Sequence, residues 1–128
     1  MVGILIVAHG ALGETLIQCA WHVLSNRPAQ ISSIIVAGRG DPDAIFAQTM
    51  RMIDELDSGK GVLILTDMLG ATPSNVATRA IMPGRVEAVS GVNLPMLIRA
   101  LTYRSQPLAE VVAKAISGGQ DGVVDLRA

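Results

Sequence analysis

The sequence predicts an α/β fold: an open, mostly parallel sheet with helices on both faces. Three observations carry this prediction. Short, almost wholly apolar runs have the length of buried strands, helix-periodic segments alternate with them, and Gly, Pro, Asn and Asp mark the joins. Continuous rather than alternating apolarity is what strands covered on both faces require. At 128 residues the chain has the length of one ordinary domain, 1–128, and can bury a substantial core. No linker, low-complexity stretch or internal repeat interrupts it.

Ile4–Val7 reads as the first strand and stops at Ala8-His9-Gly10. Gly13 to Leu24 follows as a helix, with Leu16, Ile17, Ala20, Val23 and Leu24 on one stripe, and Asn26-Arg27-Pro28 ends it. Ile31–Val36 is the second strand. Asp41 is placed to cap the next helix with Pro42 at its first position, and that helix runs to Ser58-Gly59. Val62–Thr66 is the third strand, Asp67 to Thr72 a loop, and Pro73 opens a helix reaching about Ile81. Val86–Val89 is the fourth strand. Leu94 to Leu101 is helical behind an Asn93 cap, and Leu108 to Ile116 forms a last helix that Gly118-Gly119 should stop. Val123, Val124 and Leu126 have the pattern of a short final strand.

Composition excludes several functions. Hydrophobic residues make up 50% of the chain and mean hydropathy is +0.46. Yet runs such as Ile4–Ala8 and Val62–Leu65 fall far short of the roughly 20 residues that span a bilayer. The opening MVGILIVAHG has neither a basic segment nor a cleavage pattern, so a cytoplasmic location is expected rather than secretion. With 10 Lys and Arg against 11 Asp and Glu there is no basic stripe for nucleic acid. One Phe, one Trp and one Tyr leave little for stacking flavins, bases or sugars. The lone Cys19 is expected to be a small buried hydrophobe. Two separated histidines and one cysteine offer no metal-ligand spacing, and His22 is expected to be structural or solvent-facing. No Walker A pattern exists, and Gly38-Arg39-Gly40 is too short for a dinucleotide fingerprint, so no cofactor is expected. Arg39 can serve as a surface residue or reach toward an anion.

Sites in open α/β sheets lie beyond the carboxyl ends of the strands. His9 follows the first strand and Asp67 the third. A neutral imidazole nitrogen is a good nucleophile near pH 7, and Gly10 beside it lets another molecule approach closely. If the two strands are neighbours, Asp67 accepts the proton of one ring nitrogen and frees the other to attack. Such a pair also suits acyl transfer, but no GxSxG nucleophile elbow accompanies it. The small residues Gly70 and Ala71, the hydroxyls of Thr72 and Ser74, and a helix opening at Pro73 add what an anion near His9 would need.

IVAHG, TDMLGATPSN and SGVNLPML, in that order and spread along the chain, resemble the enzyme IIA components of the mannose family of the bacterial phosphotransferase system. The resemblance implies a homodimer, a sheet of order 2-1-3-4 and a final antiparallel strand exchanged between subunits, which suits Gly122–Leu126. It implies that His9 accepts phosphate from the phosphocarrier HPr and passes it to a IIB component, with Asp67 orienting the ring. Thr66, the Gly70–Thr72 backbone and the Thr72 hydroxyl then match positions around the phosphoryl group. Two positions depart from the family's habit: Leu69 stands where an aromatic residue is frequent, and Ala71 where a second glycine is usual. The sequence stops at Ala128 without a linker toward a IIB domain. A free-standing IIA serving a separate transporter, or signalling by its phosphorylation state, is therefore expected. Three rivals stand beside this reading: the phosphocarrier subunit of dihydroxyacetone kinase, a non-catalytic regulator that reads phosphorylation of His9, and a flavodoxin-like small-molecule binder.

Overall fold

The computed structural model describes residues 1–38 and 40–127; the expectations for Arg39 lie outside the described residues. Four strands, β1 (Gly3–His9), β2 (Ile31–Val36), β3 (Val62–Thr66) and β4 (Val86–Ser90), form one sheet in the order β2-β1-β3-β4, with every pairing parallel. The helices are α1 (Leu12–Leu24), α2 (Pro42–Leu56), α3 (Thr72–Ala80), α4 (Leu94–Tyr103) and α5 (Leu108–Asp121). The predicted class, strand order and two-faced helical cover are those observed.

Strand alternation sorts the apolar residues into two cores. Ile4, Ile6, Leu63 and Leu65 pack against α1, α4 and α5 on one face. Leu5, Val7, Val62, Ile64 and Val86 pack against α2 and α3 on the other. This explains why β1 and β3 show no polar alternation: each fully buried Ile or Leu contributes roughly 1.5–3 kcal/mol whichever way it points. The start of β1 is held by Arg104, whose buried guanidinium donates to the carbonyls of Val2, Ala29 and Gln30.

Two caps are those expected. Asp41 accepts the Asp43 N–H at the start of α2, and Asn93 accepts the Met96 N–H at the start of α4. Two expectations fail, and the final strand finds no pairing among the described residues. α5 continues through Gly118 and Gly119 to Asp121 instead of stopping before them. A Cβ on Gly118 would lie 2.7 Å from Arg99 Cβ on α4, so the missing side chain permits close helix approach rather than ending the helix. Cys19 is exposed, not buried, because α1 turns only Gly13, Ile17 and Ala20 fully inward and Cys19 stands about 100° from Ala20. Finally, no fifth strand forms among the described residues: Val123, Val124 and Leu126 are exposed beyond α5. A strand needs a ladder partner, and this segment has none among the described residues.

Gly118→Ala should cost about 1–3 kcal/mol by forcing α4 and α5 apart. Urea unfolding measures it; a neutral result would show that the helices separate without loss.

Candidate active site

Because β1 and β3 are adjacent, the residues ending them meet at one edge of the sheet. His9 terminates β1 and Asp67 follows β3 directly. Their contact is double. Asp67 Oδ2 accepts the backbone N–H of His9 at 3.0 Å and lies 2.7 Å from its ring Nδ1. Asp67 Oδ1 accepts the N–H of Met68 at 3.0 Å. The carboxylate therefore bridges the two strand ends and the loop between β3 and α3.

Asp67 is an ionised acceptor, so the hydrogen in the 2.7 Å contact belongs to Nδ1. Partial burial opposes its charge, but the hydrogen bonds from His9 backbone and ring and from Met68, with the ring's attraction, outweigh it and hold the carboxyl below the ordinary 3.8. The Nδ1–H tautomer leaves the Nε2 lone pair without a hydrogen-bond partner among the described residues, and the His9 side chain is 44% exposed against 12% for Asp67. No side chain would crowd the approach at Gly10, where a Cβ would meet nothing within 4 Å.

The loop after β3 is shaped by Ser74. Its hydroxyl accepts the N–H of Gly70 at 3.0 Å and donates to the carbonyl of Ala71 at 3.0 Å. Gly70 has φ +86°, a left-handed conformation that suits glycine alone. Ala71 is extended, at φ −105°, so an alanine stands there without strain. Ser74 is buried, and both its hydroxyl and the Gly70 N–H are spent on each other. Of the anticipated phosphate contacts, these two organise the loop. The first turn of α3 has no side-chain cap, leaving the N–H groups of Thr72 and Ser74 without intrahelical partners. Such an end attracts anions. Thr66 is 1% exposed and its Oγ1 finds no hydrogen-bond partner among the described residues. Met68 and Leu69 lie exposed on the rim, Leu69 at 82%.

The family model described as the PTS system fructose IIA component, EIIA-man, matches residues 3–117. This chain belongs to the mannose-type enzyme IIA family of the phosphotransferase system. It is 31% identical over 130 residues to the PTS system mannose-specific EIIAB component of Escherichia coli, across 99% of this chain and 40% of that protein. The chain thus spans well under half the length of that curated relative. The crystal structure of phosphotransferase system component EIIA from Streptococcus agalactiae aligns with a TM-score of 0.87 at 26% identity, covering 99% of this chain and 98% of that one. The mannose/sorbose specific IIA subunit of the Enterococcus faecalis phosphotransferase system shares the fold, with a TM-score of 0.86 at 23% identity over 98% and 94% of the two chains. Among the described residues no helix is long and apolar enough to cross a membrane. The structure brings together His9 and Asp67, the pair the sequence singles out, and makes Ser74 the brace of the loop, a role the sequence reading misses. The spacing Gly70-x-x-x-Ser74, one helical turn, is the signal that could have found it.

A carboxyl whose folded-state pKa lies below its unfolded value stabilises the fold where it is ionised. That contribution is complete above the ordinary 3.8 and is lost as pH falls through the lower folded-state value. Asp67→Asn should therefore cost about 1–2 kcal/mol at pH 7, a difference that shrinks toward zero in strong acid. Denaturant unfolding from pH 7 to pH 2 measures it; a pH-independent difference would contradict the role given to the charge.

Proposed function

We propose that His9 is the phosphoryl-carrying residue of this IIA component, taking the group from an HPr-like phosphohistidine donor and passing it to a IIB component. The observation that carries this reading is the 2.7 Å contact of Nδ1 with Asp67, which commits one ring nitrogen and leaves Nε2 exposed. In the forward step Nε2 bonds to phosphorus as the donor's N–P bond breaks in line. The His9 ring becomes cationic, keeps its Nδ1–H, and is neutralised by the Asp67 carboxylate; the donor ring leaves neutral. Return transfer to the acceptor reverses the charge change. No proton has to move at His9. Positioning and electrostatic complementarity are therefore the main contributions asked of the protein.

Around the phosphoryl group, the N–H groups of Ala71 and Thr72, the Thr72 hydroxyl and Thr66 supply donors. Gly70 and Ser74 act one step back by shaping the loop. Exposed Met68 and Leu69 offer the partner proteins an apolar rim. The exposed apolar tail Val123–Leu126 supports a homodimer in which this segment pairs as an exchanged antiparallel strand. A cytoplasmic setting, where phosphohistidine donors act, fits the reading. The sugar served, if transport is the end, is set by the downstream components.

Incubation with phosphoenolpyruvate, enzyme I and HPr should label the protein with an acid-labile phosphoryl group, and His9→Ala should abolish labelling. Asp67→Asn should slow transfer about 10²-fold, because it removes the charge that meets the developing ring cation. Labelling of His9→Ala at the wild-type level would refute the assignment.

A further inference from the structure

The described residues contain two buried hydroxyl oxygens without a hydrogen-bond partner, Thr66 Oγ1 and Ser90 Oγ. Other buried hydroxyls are served: Thr49 donates to the Ile45 carbonyl at 2.8 Å, and Ser74 makes both bonds described above. The two orphans are neighbours. Thr66 and Ser90 form the last rung of the β3–β4 ladder. Alternation places them on the α2/α3 face, since Val62, Ile64, Val86 and Ala88 at even spacing point there. The same rule puts His9 on that face, two residues after Val7, which is itself paired with Thr66. One carboxyl edge of the sheet thus carries His9, Thr66 and Ser90 side by side on a single face, beneath a helix start with unspent N–H groups.

A buried unpaired hydroxyl is destabilising, and natural folds seldom keep one without a use. Both groups are neutral donors, and a phosphoryl group on His9 offers three acceptor oxygens. We propose that Ser90 is a positioning residue of the phosphoryl site, acting through Thr66. Ser90 donates its O–H to Thr66 Oγ1, and Thr66 donates its own to a phosphoryl oxygen on His9. Neighbouring strands lie roughly 5 Å apart, so hydroxyls on one rung of this parallel pair are within reach of a bridge by χ1 rotation. The terminal acceptor arrives only with phosphorylation, and its charge strengthens each bond of the chain. The Val92 N–H, bonded to the Thr66 carbonyl at 2.9 Å, ties the β4–α4 turn to the same rung and holds Ser90 in register. This inference rests on the phosphoryl-carrying role proposed for His9.

The test compares wild type, Ser90→Ala, Ser90→Thr, Thr66→Val and the Ser90→Ala/Thr66→Val double variant. Two readouts are taken: stability of the unphosphorylated protein, and the equilibrium constant for phosphoryl transfer from HPr. Ser90→Ala should leave resting stability unchanged or raised and lower the transfer constant about fivefold or more, with Ser90→Thr restoring it. Adding Ser90→Ala to Thr66→Val should change nothing further, because the two act in series. The inference is overturned if Ser90→Ala destabilises the resting protein and leaves the transfer constant alone, the behaviour of a hydroxyl that holds an internal water. Additive effects would also overturn it. Failure of wild type to be labelled by HPr would overturn the function proposed for His9, and this inference with it; normal labelling with an indifferent Ser90→Ala removes only the inference.

Discussion

The Asp67 carboxylate holds the backbone N–H and the ring Nδ1 of His9 in one grip, and the chemistry proposed for this chain depends on that grip. A histidine at a strand end is otherwise a rotor with two interchangeable nitrogens. Pinning the main chain and the ring with the same oxygen fixes the tautomer, the ring's direction and the site of the counter-charge together. The cost of half-burying a carboxylate is met by three hydrogen bonds, and the direction of its pKa shift records that they prevail.

That grip exists only because of topology. The strand order β2-β1-β3-β4 makes β1 and β3 neighbours although α1, β2 and α2 separate them in sequence. Right-handed crossovers bring both strand ends to one side and lay the start of α3 beside them. The apolar residues of β1 and β3 thus serve the proposed mechanism at one remove. Two cores, one on each face, fix the register Val7↔Thr66 that sets His9 against Asp67. Within this frame the Ser74 hydroxyl completes the loop, and a glycine at position 70 supplies the one left-handed turn it needs.

The strands were legible in the sequence because strands buried on both faces leave short, unbroken apolar runs: ILIV and VLIL are rich in β-branched residues and close on turn-forming segments. The contact between His9 and Asp67 was legible because each directly ends or follows a strand, and the two strands are neighbours. Local signals served where the physics is local, as at the Asp41 and Asn93 caps. They misled where a distant partner decides. Gly118 and Gly119 look like a helix stop and instead admit α4, a fact visible only once Arg99 and Met96 are in place. Cys19 sits in an apolar segment whose inner stripe is narrower than composition suggests. Ser74, Thr66 and Ser90 are ordinary hydroxyls in sequence, and only three-dimensional placement distinguishes a brace from an unpaired donor. The apolar tail at Val123–Leu126 needs a partner edge that the described residues do not supply.

The account's central claim is that Asp67 commits Nδ1 and leaves Nε2 as the attacking atom. Phosphorylating the 15N-histidine-labelled protein and recording one-bond 31P–15N couplings identifies the bonded nitrogen directly. The account predicts a phosphoryl group on Nε2 of His9 with Nδ1 still protonated and hydrogen-bonded to Asp67. Phosphorus bonded to Nδ1, or to any residue other than His9, would contradict it.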